Sequence, residues 1–137
     1  MNSDPLAANE ILHFLKEPFG KNSVKFRQGA GGKQLAYIDA RTVMKRLDEV
    51  VGINNWQTEY EECSGRIICK LSVRIDGEWI TKCDGAGDTK IEGDKGGISD
   101  ALKRAAVNFG IGRYLYVLPA GTTINNMPKW GLPYENS

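Results

Sequence analysis

Two adjacent cations, Lys103 and Arg104, are the side chains of this sequence best placed to do chemistry, and that chemistry is the holding of anions. They lie within residues 98–116, where Ile98, Leu102, Ala105 and Phe109 recur at helical spacing as one apolar stripe. Ser99 is placed to cap that helix, and Gly110 and Gly112 to end it. The pair has two explanations. Asp100 precedes the cations by three and four positions, so surface ion pairs account for both without any ligand. Alternatively, a buried helix of this design holds two cations at the edge of whatever it packs against.

Other chemistries find less support. Asp84, Asp88, Glu92 and Asp94 are the carboxylates a metal-dependent nuclease would use, yet they fall in a glycine-rich segment with no matching histidine. His13 is the only histidine, and Cys63, Cys69 and Cys83 show no C-x-x-C spacing. That pattern argues against zinc and against a disulfide framework, and for three reduced thiols. No G-x-x-x-x-G-K-[ST] run and no full G-x-G-x-x-G run occurs, so nucleotide hydrolysis has no motif to rest on. A non-enzyme without metal or cofactor is expected.

The elements that must position the cations are readable in order. The 137 residues, 41% of them hydrophobic, suffice for one modest core and hence one domain, expected over residues 1–118, with an irregular tail over 119–137. Asp4 and Pro5 open a first helix, carrying Leu6, Ile11, Leu12, Phe14 and Leu15, which Pro18 stops. Residues 24–38 form two short strands around a turn at 29–32. Asp39 caps a second helix with Val43, Leu47 and Val50 on its buried side and Gly52 at its end, leaving Arg41, Lys45 and Arg46 on a solvated face. From Trp56 the period becomes two. Strands are expected over 56–62, 66–75 and 78–83, the middle one turning its Ile67, Cys69, Leu71, Val73 and Ile75 inward, with Asp76-Gly77 as a hairpin turn. The fold class is therefore α+β: antiparallel hairpins in a meander, with the helix of residues 98–109 packed across the sheet. Residues 85–97, holding five glycines with Lys90 and Lys95, read as a surface loop. In the tail, Trp130 and Tyr134 are large enough to pack on the domain or on a neighbour.

Charge is segregated although the net charge is only +1. Residues 21–46 carry seven cations, at Lys21, Lys25, Arg27, Lys33, Arg41, Lys45 and Arg46, against Asp39 alone, whereas residues 48–62 carry five acids and no cation. This separation makes either one basic and one acidic face or two segments that cancel in the fold. No run is long and apolar enough to cross a bilayer and no export signal opens the chain, so a cytosolic protein is expected.

The string S-D-A-L-K-R-A-A-V-N-F-G over residues 99–110 resembles the signature helix of the Rad52 family of single-strand annealing proteins. Arg27, the glycines of 29–32, Tyr37-Ile38 and Asn55-Trp56 follow that family's order and separations, so the resemblance runs from about residue 24 to residue 116. It implies ATP-independent binding of single-stranded DNA and annealing of complementary strands in recombination and repair. The binding surface would be a basic groove that many subunits build as a ring or filament. Arg27 matches a groove arginine, Tyr37 an aromatic beside the groove, and Lys95 a basic position before the signature helix. With Lys103, Arg104, Lys33 and Lys90 these make the candidate DNA contacts. The sequence departs from eukaryotic members at Val107, where they carry another arginine, and in its glycine-rich 85–97 segment, which bears on a secondary outer DNA site.

By the same resemblance, the first helix helps subunits join. A chain without the long polar tail that eukaryotic members use for recombinase and single-strand-binding partners is expected, a pattern like that of phage or prophage members. The expected location is the cytoplasm or nucleoid of a bacterial cell, or the nucleus or an organelle in a eukaryote. A second function class, an oligomeric adaptor whose basic patch meets an acidic protein, predicts no affinity for oligonucleotides at any salt concentration.

Overall fold

The middle of the chain sets the architecture. In the computed structural model, which describes residues 7–86 and 93–134 apart from the side chains of 30 and 93–96, β3 (Trp56–Cys63), β4 (Arg66–Ile75) and β5 (Glu78–Gly85) form an antiparallel sheet in the order β3-β4-β5. Alternation makes β4 its centre: Cys69, Leu71, Val73 and Ile75 are buried on one face while Arg74 is exposed on the other. Two-residue turns join the strands. Asp76 and Gly77 (φ 55° and 80°) and Ser64 and Gly65 (φ 54° and 80°) take the paired positive angles that suit the twist of a tight hairpin.

Helix α3 (Gly93–Val107) lies across the buried face of β4 and β5, with Ala101, Leu102, Ala105, Ala106 and Phe109 against the sheet. Three alanines let the helix approach closely. Ile98 has the right phase for this face but is 41% exposed, because none of the described residues covers it. The helix also starts six residues earlier than Ser99, so residues 93–97 are helical rather than loop. Each helical glycine costs about 1 kcal/mol relative to alanine, and tertiary packing, in which Gly97 is buried, offsets that cost. The C-terminus ends as expected. Gly110 (φ 94°) reverses the chain while the Ile111 N–H donates to the Ala106 carbonyl at 3.1 Å and the Gly110 N–H to the Val107 carbonyl at 2.9 Å, the bond pair of a Schellman motif.

A second, two-stranded sheet comprises β1 (Lys25–Gln28) and β2 (Gln34–Tyr37), with Arg27 opposite Leu35 and Phe26 opposite Ala36. Helix α2 (Ala40–Val51) follows at once. Its Asp39 cap accepts from the Thr42 N–H at 2.9 Å and the Thr42 hydroxyl at 2.7 Å, and from Lys25 Nζ at 3.0 Å. Those bonds, the Thr42 ones foremost, hold the Asp39 carboxyl down to about 2 from its ordinary 3.8. Val43 and Leu47 of α2 join Ile11 and Leu15 of α1 (Ala8–Leu15) in the same core as the sheet. Leu12 and Phe14 of α1 remain exposed, and Asp4, Pro5 and Leu6 lie outside the described residues.

Arg46 is not on a solvated face. Its Nη1 donates to the carbonyls of Glu17 at 2.6 Å, Leu15 at 3.1 Å and Phe14 at 3.3 Å, and its guanidinium lies 3.9 Å over the Phe19 ring. It therefore clamps the end of α1 to α2, and a helix-surface pattern cannot reveal such a partner. The tail folds back on the same corner, where Tyr134 stacks on His13 at 4.5 Å and donates its N–H to Glu17 at 3.2 Å. Trp130 stays half exposed. Of the thiols, Cys63 and Cys83 are exposed, and burial pushes that of Cys69 up to about 11, as suits a protonated core residue. Among the described residues no helix is long and apolar enough to cross a membrane.

Candidate nucleic-acid interface

Helix α3 has two occupied faces. Opposite the sheet-facing side, Asp100 and Val107, each three and four positions from the adjacent Lys103 and Arg104, share one helix face with them and line a groove of about 470 Å³. The hairpin β1–β2 forms the facing wall. Strand alternation puts Arg27, Leu35 and Tyr37 on its groove side and turns Phe26 toward the core, while the small Ala36 packs on the core and still borders the groove. Lys33, at the end of the hairpin turn, adds a fourth cation, and residues 118–122 close the remaining side.

The cations are organised around one ring. In the antiparallel register Arg27 is diagonal to Tyr37, and its Cζ lies 5.4 Å from the ring centroid. From the other wall, Lys103 Nζ stands 5.6 Å from the same centroid. Both are within the reach of a cation–π attraction. Arg104 instead pairs with Asp100 at 3.1 Å, one helical turn away. The surface ion pair thus accounts for one of the two adjacent cations, whereas Lys103 leans across the groove to the tyrosine. Among the described residues, Arg27, Lys33 and Lys103 have no carboxylate within ion-pair distance.

Five of the seven candidate residues named from the sequence, Arg27, Lys33, Tyr37, Lys103 and Arg104, therefore line one groove. Lys90 lies outside the described residues. Lys95 falls on the first turns of α3, but its side chain also lies outside them. The rest of the lining escaped sequence reasoning. Leu35, Tyr116 and residues 118–122 belong to an irregular stretch or to an alternating strand that reads equally well either way round, and only the three-dimensional course of the chain brings them here. The exposure of Leu35 at 46% and Tyr116 at 73% shows an apolar rim beside the cations.

The segregated charges do not cancel by direct pairing. Among the described residues the ion pairs are Lys25–Asp39, Lys70–Glu61 and Arg104–Asp100, so no cation of 21–46 pairs with an acid of 48–62. Asp48 accepts from Trp56 Nε1 at 2.7 Å instead. Among the described residues no three His, Cys, Asp or Glu side chains stand close enough to hold an ion. Asp88, Glu92 and the Asp94 side chain lie outside them.

Residues 7–130 match the Rad52/22 family of double-strand break repair proteins. The single-stranded DNA-binding protein DdrA of Deinococcus radiodurans is 37% identical over 119 residues, covering 81% of this chain and 57% of that protein. DdrA of Deinococcus deserti is 40% identical over 146 residues, covering 91% of this chain and 71% of that protein. The DNA repair and recombination protein rad22 of Schizosaccharomyces pombe is 29% identical over 133 residues, and the chain spans only 28% of its length. With nearly its whole length matched, and with the groove residues falling inside the match, this chain belongs to the Rad52/22 family of double-strand break repair proteins.

Proposed function

We propose that the chain binds single-stranded DNA along this groove and anneals complementary strands without ATP, in recombination and repair. The observation that carries the proposal is the convergence of Arg27, Lys33, Lys103 and Arg104, from three separate elements, on one groove around Tyr37. Cations of that kind track a sugar-phosphate backbone and read no base. Base edges then stay available, and pairing with the complement supplies the specificity. The relatives described as single-stranded DNA-binding proteins support the same reading.

Four cations per copy are few for useful affinity, so the groove works as part of a series. Copies set side by side in a ring or filament make each further contact intramolecular, which multiplies affinity without new chemistry. The annealing unit is residues 1–118, with 119–122 contributing to the groove wall. Bound strands place the protein with chromosomal or invading DNA, in the cytoplasm or nucleoid of a bacterium or in the nucleus or an organelle of a eukaryote. Single-strand-binding proteins and recombinases are the protein partners that such a strand would bring.

The test is a fluorescent single-stranded oligonucleotide titrated across a salt series, followed by its complement with no ATP present. Salt-sensitive binding and accelerated duplex formation are expected, and both should be lost in a folded Lys103→Ala, Arg104→Ala double variant. Normal binding by that variant refutes the groove assignment. No binding by the wild-type protein at low salt refutes the function and leaves the adaptor reading in its place.

A further inference from the structure

We infer that Arg113 is a further contact for the bound strand, extending the cationic strip of the groove past the end of α3; this rests on the function proposed above. Val107 continues the Asp100, Lys103 and Arg104 face of the helix and lines the groove. Its carbonyl accepts two bonds from Arg113, from Nε at 3.0 Å and from Nη2 at 2.7 Å. The guanidinium is thereby fixed at the C-terminal end of α3, one turn beyond Arg104: about 4.5 Å of helix rise to Val107, then the hydrogen bond.

A second placement agrees with the first. After the reversal at Gly110, Arg113 opens the 3₁₀ helix Arg113–Val117, in which side chains three apart eclipse. Arg113 therefore shares one side of this helix with Tyr116, which is part of the groove lining, and lies just beyond that lining itself.

The side chain has capacity to spare. A guanidinium carries five N–H donors, and the Val107 carbonyl takes two of them, leaving three. Arg113 is exposed, and no carboxylate among the described residues lies within ion-pair distance. A planar, permanently charged fork held at one orientation by its own helix end is a preorganised phosphate ligand. A bond to the last carbonyls of a helix also stabilises that helix. Capping alone and capping combined with strand binding make different predictions.

The experiment measures single-stranded oligonucleotide binding between 50 and 200 mM salt for the full chain, Arg113→Gln, Arg113→Lys and Lys103→Ala, with the thermal midpoint of each. One phosphate contact on a single strand contributes about 0.7 to the slope of log affinity against log salt, or about 2.6-fold over this range. Arg113→Gln should lose that increment, and Arg113→Lys should keep it even though both variants weaken the cap. A wild-type slope in Arg113→Gln, with Lys103→Ala shallower as expected, overturns this inference and leaves the proposed function standing. No binding by the unaltered chain overturns both. Should Arg113→Gln fail to fold, phenylglyoxal labelling of the wild-type protein decides the matter. Protection of Arg113 by bound oligonucleotide is expected, and equal labelling with and without it refutes the contact.

Discussion

Replacing Tyr37 by leucine isolates the feature that distinguishes this groove from an ordinary basic surface. The ring holds Arg27 at 5.4 Å and Lys103 at 5.6 Å from its centroid, one from each wall. Both distances are near the 6 Å outer limit for cation–π attraction, so each contact contributes about 0.5 kcal/mol, the lower end of the exposed-site range. Leucine keeps the apolar contact and removes both attractions, a loss of about 1 kcal/mol in the orientation of the two cations. If that orientation is expressed in binding, affinity for a single-stranded oligonucleotide falls about fivefold per copy engaged. Phenylalanine keeps the ring and should bind like the wild type.

The assay is fluorescence anisotropy at fixed salt, with urea unfolding run beside it to confirm that Tyr37→Leu is folded. A double-mutant cycle sharpens the result. In a Lys103→Ala background the Tyr37→Leu penalty should drop by about half, because one of the two cations has already gone. Equal losses in Tyr37→Phe and Tyr37→Leu would show that the hydroxyl, not the ring, matters, and wild-type affinity in folded Tyr37→Leu would refute the preorganisation argument outright.

Three further outcomes test how the groove is supported. Arg46→Met should cost about 2–3 kcal/mol in urea unfolding, since it strips a charged donor from the carbonyls of Phe14, Leu15 and Glu17; a loss below about 0.5 kcal/mol would deny the clamp. Asp39→Asn keeps a cap acceptor and removes the charge, so its deficit relative to wild type has a definite pH window. The native carboxyl titrates near 2 and the unfolded one near 3.8, so the charge stabilises fully above about pH 4 and the advantage disappears as pH falls through 2. Because the side chain is more than a third exposed, solvent screening keeps this deficit at about 0.5–1 kcal/mol, and pH-independent melting differences would exclude the carboxylate as its origin. Gly110→Ala forces a side chain into φ 94° and brings its Cβ to 3.0 Å from that of Lys16, which should cost about 1–2 kcal/mol and lower the thermal midpoint; an unchanged midpoint would show that the end of α3 can relax.

Elements whose pattern is local could be read from the sequence. The alternation of Cys69, Leu71, Val73 and Ile75, the Asp76-Gly77 turn, the Asp39 cap and the stop at Gly110 each depend on a few neighbouring residues, and each stands where expected. Features that depend on distant partners could not be read the same way. Glycines at 93–97 signal a loop by propensity, and only packing makes them helical. Arg46 looked like one of three solvated cations until the end of α1 arrived beside it. Residues 118–122 carry no periodicity, so nothing local announces a groove wall. The acid-rich β3 told a similar story: its separation from the basic segment was visible, but whether the two would cancel depended on sheet order.

The adjacent cations were ambiguous for the same reason, and the two faces of α3 resolve them. Ala101, Leu102, Ala105, Ala106 and Phe109 commit one face to the sheet, while Asp100, Lys103, Arg104 and Val107 line the groove from the opposite face. Core packing is thus carried on one side of the helix, and the proposed binding function falls to the other. Lys103 is only half-buried and Arg104 is exposed, so substituting either removes little buried surface, and a change within about 0.5 kcal/mol of folding stability is the ordinary result at such positions. A binding defect in these variants can therefore be assigned to the groove itself. Ala105 offers the converse: enlarging it would push α3 off β4, collapsing sheet and groove together.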